Sequence, residues 1–160
     1  MGTRCYIAEE KENGVYRSIY CQLDGYPEVV GKQLVRHYDT PEKLAELFML
    51  GDIYRLGEKT EADPSLPHQV GEGFQKGVTV AFGRDCDEAG FAAEDRTLDE
   101  IMDDDEAIEF VYVFTKKQEW EFCCLLDYDV QFRAVRDVLP AEHEEAENQT
   151  PKQEMNGPTM

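Results

Sequence analysis

The residues of this chain that are best suited to chemistry are carboxylates, and they are concentrated in one block from Asp85 to Glu109. The block holds twelve carboxylates and a single basic residue, Arg96, so its net charge is −11, whereas the whole chain of 160 residues carries −19. A surface of this charge rejects nucleic-acid phosphates and anionic membranes and attracts basic protein surfaces. The block therefore indicates a partner that carries positive charge.

The start of this block is similar to a calcium-binding loop, but its ligand pattern is incomplete. Asp85 and Asp87 occupy the first and third positions of such a loop, and Gly90 occupies the sixth. Ala89 stands at the fifth position, and Arg96 stands at the twelfth, where a bidentate glutamate is required. We therefore predict neither a metal site nor a cofactor.

Two interpretations of the acidic block remain, a solvated loop that aids solubility and a surface that binds a basic protein. A charge of −11 in twenty-five residues exceeds what solubility asks of a small domain, which favours the second interpretation. Such a surface would compete with nucleic acid, because carboxylates can be spaced to imitate a phosphate backbone. The predicted partner-binding residues are Asp85, Asp87, Glu88, Glu94, Asp95, Asp99, Glu100, Asp103, Asp104, Asp105 and Glu106.

An alternative site of a different class groups Asp24, His37 and Arg84. His37 ends a predicted helix, Asp24 precedes that helix, and Arg84 follows a predicted strand. These residues suit a small protein that binds a nucleotide or signal molecule, or a hydrolase. The chain contains no phosphate-binding glycine loop and no nucleophile motif. We therefore predict no catalytic residue and favour a protein that is not an enzyme.

The strands that must position these residues are predicted from alternation and turn signals. A two-residue turn at Asn13-Gly14 predicts a first hairpin, in a register that pairs Tyr6 with Cys21 and leaves Cys5 on the opposite face. Apolar residues alternate on both sides of Lys116-Lys117, which predicts a second hairpin. A disulfide between the two cysteines is disfavoured in this register.

Helical spacing and capping residues predict the remaining elements. Thr40 caps a helix that begins at Pro41 and ends at Gly51, and Thr97 caps a short helix inside the acidic block. The other predicted elements are a helix over 28–37 and a strand over 78–82. Residues 130–139 form either a last helix, which we favour, or a strand.

Together these elements predict one α+β domain over residues 1–139. We expect an antiparallel sheet, made of two hairpins plus a central strand, packed by two to three helices on one face. Residues 140–160 are predicted to form a disordered acidic and polar tail. The five cysteines form no metal-ligand series and predict reduced thiols in a cytosol.

One segment supports a family resemblance. Residues Arg17–Lys32, RSIYCQLDGYPEVVGK, resemble an uncharacterised group of small tailed-phage and prophage proteins that share the stretch SIYCxxDGYPxxVGxxLxxHY. Further similar segments are Leu50–Ile53, Val80–Asp85, and Tyr112–Phe114 with Trp120. The position after Cys21 is often histidine in the group but is Gln22 here, so a metal or acid–base role is not expected there. The resemblance implies a phage origin and a host bacterial cytoplasm, and it implies no activity.

Small, strongly acidic phage proteins often act by binding host proteins. By analogy, the resemblance and the acidic block together predict an inhibitor of a nucleic-acid-handling defence factor, of the anti-CRISPR or anti-restriction type. We expect a protein partner with a basic surface, no direct nucleic-acid binding and no membrane association.

Overall fold

The structure, a computed structural model, describes residues 2–103 and 107–140. The predicted contacts Asp104, Asp105 and Glu106, and the predicted tail beyond residue 140, lie outside the described residues. The strands are β1 (Arg4–Glu10), β2 (Val15–Cys21), β3 (Ile53–Arg55), β4 (Val80–Ala81), β5 (Glu94–Thr97), β6 (Ile108–Phe114), β7 (Trp120–Cys124) and β8 (Arg133–Ala134). The helices are α1 (Lys32–His37), α2 (Pro41–Leu50), α3 (Phe82–Cys86) and α4 (Leu98–Met102), with a π-helical turn at Pro27–Gly31 and a 3-10 turn at Val135–Val138.

The described strands form one mixed sheet, so the predicted antiparallel sheet of two hairpins and a central strand is wrong. The strand order is β4-β3-β2-β1-β6-β7-β8, and β5 also pairs with β2. Strands β1 and β6 run parallel, as do β2 and β3. Parallel neighbours need a long crossover, and the helical segment between β2 and β3 supplies one. Alternation within a strand predicts neither its partner nor its direction.

Helices cover both faces of the sheet, and the prediction that they lie on one face is also wrong. On the first face, Leu34 of α1 and Leu44 of α2 pack in the same buried cluster as Ile7 and Ile19. On the second face, Ile101 of α4 belongs to a separate buried cluster that includes Tyr6 and Val111 of the sheet. The acidic segment that carries α4 is therefore attached to the core through its apolar residues.

The register of the first hairpin differs by one residue from the prediction. Asn13 and Gly14 form the turn, both with positive φ, but the amide of Lys11 rather than that of Glu12 donates to the Val15 carbonyl. This bulge shifts the pairing, because one extra residue lies on one strand. Cys5 and Cys21 are consequently paired directly opposite each other on one face, and both are buried free thiols.

Local signals predicted some elements well and others poorly. Helix α2 has Thr40 as its N-cap, with the Thr40 hydroxyl accepting from the Lys43 amide, and it ends before Gly51. The strand predicted over 78–82 shrinks to β4, because helix α3 begins at Phe82. Over 130–139 the favoured helix is wrong, and the range instead holds the short strand β8 and a 3-10 turn.

Candidate functional site

Within the described residues 85–103, the acidic block is not a continuous loop as predicted, since it contains the end of α3, β5 and α4. Strand β5 pairs antiparallel with the first half of β2, with Asp95 opposite Arg17. Helix α4 starts with a capping box, in which the Thr97 hydroxyl accepts from the Glu100 amide and the Glu100 carboxylate accepts from the Thr97 amide. The predicted capped helix is confirmed, and the pairing of β5 followed directly by this cap holds the backbone over residues 94–102.

Seven of the predicted partner-binding carboxylates lie exposed along this segment, and we call them the acidic surface. Glu94 forms an ion pair with Arg96 at 3.0 Å, and Asp95 forms one with Arg17 at 3.0 Å. The Arg96 guanidinium also donates to the Tyr6 hydroxyl at 2.7 Å, which ties the acidic surface to the second face of the sheet. The members of the acidic surface are Asp87, Glu88, Glu94, Asp95, Asp99, Glu100 and Asp103.

Asp85 has a different environment from the acidic surface, because its side chain is buried, with only 4% of the residue exposed. Its carboxylate accepts from the Ala81 amide at 2.9 Å and from two guanidinium nitrogens of Arg84 at 2.7 and 2.9 Å. His68 lies 3.4 Å from the same carboxylate. Arg84 also donates to the carbonyls of Thr60 and Thr79. We call Asp85, Arg84, His68 and Thr79 the buried carboxylate network, and Asp85 is thus removed from the surface that a partner could contact.

The buried carboxylate network orders the long loop that precedes β4. The Gln75 amide donates to Nδ1 of His68, which places the imidazole proton on Nε2, 3.0 Å from the Thr79 carbonyl. The Gln75 side chain donates to the carbonyls of Asp63 and Leu66 and accepts from the Asp63 amide. Buried polar groups with all their bonds made specify one conformation of a loop that has little apolar content.

Beside this loop lies a basic cleft with a volume of about 660 Å³. One wall is the helical segment that includes α1, and the other is formed by the end of β3 and by residues 74–78. The basic lining residues are Lys32, Arg36, His37, Arg55 and Lys76. Two carboxylates, Glu28 and Glu58, also line the cleft.

The structure does not gather the alternative site of Asp24, His37 and Arg84 in one cleft. His37 lines the basic cleft, whereas Asp24 and Arg84 are not among the residues that line it. Asp24 has a positive φ of 58° in the turn before Gly25 and is exposed. Arg84 is occupied by Asp85 and by main-chain carbonyls. Of the three, only His37 therefore remains a candidate for a ligand in this cleft.

A second cleft, of about 450 Å³, lies on the other face of the sheet around Asp52. The Asp52 carboxylate accepts from the Tyr20 amide at 2.8 Å, and burial raises the pKa of Asp52 to about 6. A carboxyl with this pKa, beside Arg4 and Arg96, can exchange a proton with a bound group near neutral pH. Sequence reasoning missed this position, and its one available signal was an aspartate between a helix-ending glycine, Gly51, and a strand.

Among residues 2–103 and 107–140, no group of three or more His, Cys, Asp or Glu side chains has a geometry that could hold a metal ion. No helix within those same ranges combines the length and the apolar character that a membrane crossing requires.

Comparisons with known proteins do not identify the chain. No family model matches it, and neither a curated protein nor a solved structure is significantly similar to it. The resemblance to the phage group stays a prediction.

Proposed function

We propose that this protein is a phage-encoded, non-enzymatic inhibitor that docks its acidic surface on a basic surface of a host bacterial defence protein. The observation that carries the proposal is the exposure of seven carboxylates on one folded segment that is attached to the sheet. The target class is a nucleic-acid-handling protein, because such proteins keep basic channels for phosphates.

The folded state of the acidic segment supports this proposal. A mobile acidic loop would lose conformational entropy on binding, whereas the backbone of this segment is already ordered by β5 pairing and by the α4 capping box. Arginine and lysine side chains that normally hold phosphates also bind carboxylates with charge-assisted hydrogen bonds. The acidic surface would therefore occupy the place of nucleic acid without carrying phosphates.

The overall charge predicts how the complex forms. A chain with a net charge of −19 is attracted to a basic channel at long range, so that association is fast at low salt and slows as salt rises. The same charge opposes direct binding to DNA or RNA.

The test is inhibition of DNA cleavage by a panel of purified RNA-guided nucleases and restriction endonucleases at 50 and 300 mM salt. The test variant changes Glu88, Asp99 and Asp103 to lysine, three exposed positions of the acidic surface. We expect the wild-type protein to inhibit at least one nuclease, most strongly at low salt, and the variant to lose at least tenfold in potency.

The matched control reverses three exposed glutamates elsewhere, Glu46, Glu61 and Glu72, to lysine. It changes the net charge of the chain by the same amount, so it separates a docking surface from a general effect of charge. Equal potency of the test and control variants would contradict the proposal and leave the acidic surface as a solvated face. If the wild-type protein inhibits no nuclease of the panel, the proposed target class is wrong.

A further inference from the structure

We propose that the basic cleft binds a phosphorylated small molecule with a planar ring, of the mononucleotide class. This inference concerns a different surface from the acidic one and does not depend on the proposed inhibition. It rests on the charge of the cleft, on its order and on its apolar wall.

The charge of the cleft is opposite to that of the molecule. The chain has 35 acidic and 16 basic side chains. In this cleft the proportion is reversed, since four of those basic residues and His37 line it, against two carboxylates. Within the described residues, neither Arg55 nor Lys76 forms a hydrogen bond or an ion pair through its side chain. Arg55 as a whole is half-buried, and a charge there interacts more strongly with an anion than a charge in open water does. An anion that enters the cleft would supply the missing partner.

The walls of the cleft are already ordered before a ligand arrives. Phe74 and Lys76 flank Gln75, whose side chain and main-chain amide bond the loop and His68. The Phe74 ring packs edge-on against the His68 ring at 5.6 Å. Binding would therefore not have to order this wall, which lowers its entropic cost.

The part of the cleft wall at the end of β3 is fixed as well. The Gly57 amide donates to the Thr79 hydroxyl at 2.9 Å, and the buried Tyr38 hydroxyl donates to the Gly57 carbonyl at 2.7 Å. A Cβ at Gly57 would lie 2.5 Å from the carbonyl carbon of Val78, so the end of β3 and the loop approach as closely as two backbones can. Arg55 and Lys76 each lie two residues from this contact and are thus held on neighbouring segments.

The cleft also offers surfaces for the rest of a nucleotide. Phe74 is half-buried and provides an aromatic face, and Val29 and Leu56 add apolar area. Stacking on an aromatic side chain is the usual way in which a base binds without sequence preference. Glu28 and Glu58 can accept hydrogen bonds from sugar hydroxyls or exocyclic amines. The cavity volume of about 660 Å³ lies in the range of small-molecule sites.

A single nucleotide fits these features better than a nucleic-acid strand. A strand would carry many phosphates past the carboxylates of a molecule with a net charge of −19, and the repulsion would outweigh the few cations of the cleft. A small anion meets only the local field of the cleft.

The experiment is isothermal titration calorimetry of the full chain at low salt with four probes: AMP, ATP, glucose 6-phosphate and inorganic phosphate. We expect AMP and ATP to bind about tenfold or more tightly than the two probes without an aromatic ring. The double variant Arg55→Gln with Lys76→Gln should weaken AMP about tenfold or more. The variant Phe74→Ala should weaken AMP while leaving the weak response to glucose 6-phosphate unchanged.

The control is Arg136→Gln with Lys117→Gln, which removes one arginine and one lysine outside the cleft. Circular dichroism and thermal melting establish that each variant is folded. Absence of AMP and ATP binding to the folded wild-type protein at millimolar concentration overturns the inference. Equal losses in the cleft and control variants overturn it too, and so does inorganic phosphate that binds as tightly as AMP. The variant that tests the acidic surface should retain AMP binding, so failure of one proposal does not imply failure of the other.

Discussion

The acidic surface and the buried carboxylate network come from the same stretch of sequence and use the same functional group in opposite ways. Asp85 is 4% exposed, and its oxygens accept from Arg84 and the Ala81 amide. Two residues later Asp87 is exposed, as are the other carboxylates of the acidic surface. The density of charge along the chain is thus a poor guide to role, and the position of each carboxylate relative to the core decides it.

The two groups differ in how the removal of a carboxylate would affect the residues around it. In the buried carboxylate network, loss of the anion leaves the partly buried Arg84 with only main-chain acceptors. On the acidic surface, water replaces any partner at little cost, and loss of one anion relieves repulsion among its neighbours. Stability and partner binding should therefore depend on different carboxylates.

The largest expected effect is that of Asp85→Asn. The asparagine keeps the shape of the side chain but removes the negative charge that faces Arg84. Its NH2 group would also face the N–H donors of Arg84 or Ala81. We therefore expect a loss of about 3 kcal/mol in the free energy of unfolding. Urea denaturation at neutral pH measures it. Glu88→Gln, an isosteric change at an exposed position of the acidic surface, is the control and should change stability by less than about 0.5 kcal/mol. A loss below about 1 kcal/mol for Asp85→Asn would contradict the conclusion that buried and exposed carboxylates of this stretch differ in their contribution to stability.

The parts of the fold that were predictable from sequence depend on local signals. Thr40 before α2 and Thr97 before α4 are caps whose partners lie within three residues, so spacing alone identified them. The bulge at Lys11 and the parallel pairing of β1 with β6 depend on contacts that alternation does not encode. The predicted hairpin register is therefore wrong by one residue, and the two parallel pairs, β1 with β6 and β2 with β3, were not predicted.

The candidate sites divide in the same way. The acidic surface was visible because its carboxylates are adjacent in sequence. The basic cleft was not, since Lys32, Arg55 and Lys76 lie more than twenty residues apart from one another and meet only through the fold. The burial of Asp85 was also hidden, because it requires His68 and Thr79 to be brought beside helix α3.

A smaller effect is expected at Asp52, which lies between the two extremes because it is half-buried with fewer partners than Asp85. Its pKa is raised from 3.8 to about 6, mainly by burial. The folded state therefore binds more protons than the unfolded state between these values, and the stability contributed by Asp52 falls as pH rises through this window. Asp52→Asn should therefore change the free energy of unfolding more favourably at pH 8 than at pH 5. After a discount for solvent screening, we expect a difference of about 1 kcal/mol between the two pH values.

Urea denaturation of wild type and Asp52→Asn at both pH values checks this. Asp103→Asn, the same change at an exposed position of the acidic surface, is the control and should change stability by less than about 0.5 kcal/mol. An Asp52→Asn protein whose relative stability is the same at pH 5 and pH 8 would place Asp52 with the solvated carboxylates and sharpen the contrast with Asp85.

The smallest effect is expected at the ion pair between Asp95 and Arg17 on the acidic surface. The two side chains are directly opposite on β5 and β2, 3.0 Å apart and both about half exposed. The hydrogen bond from Arg17 lowers the pKa of Asp95, so the pair contributes above the ordinary aspartate pKa and is lost in acid. Exposed pairs of this kind contribute little, and removal of the anion also relieves repulsion from Glu94, so Asp95→Asn should cost at most about 0.5 kcal/mol at pH 7. In urea denaturation the loss of stability of Asp95→Asn should be as small as that of Glu88→Gln. A loss above about 1 kcal/mol would mean that the acidic surface also holds the fold together, and substitutions there could no longer separate binding from folding.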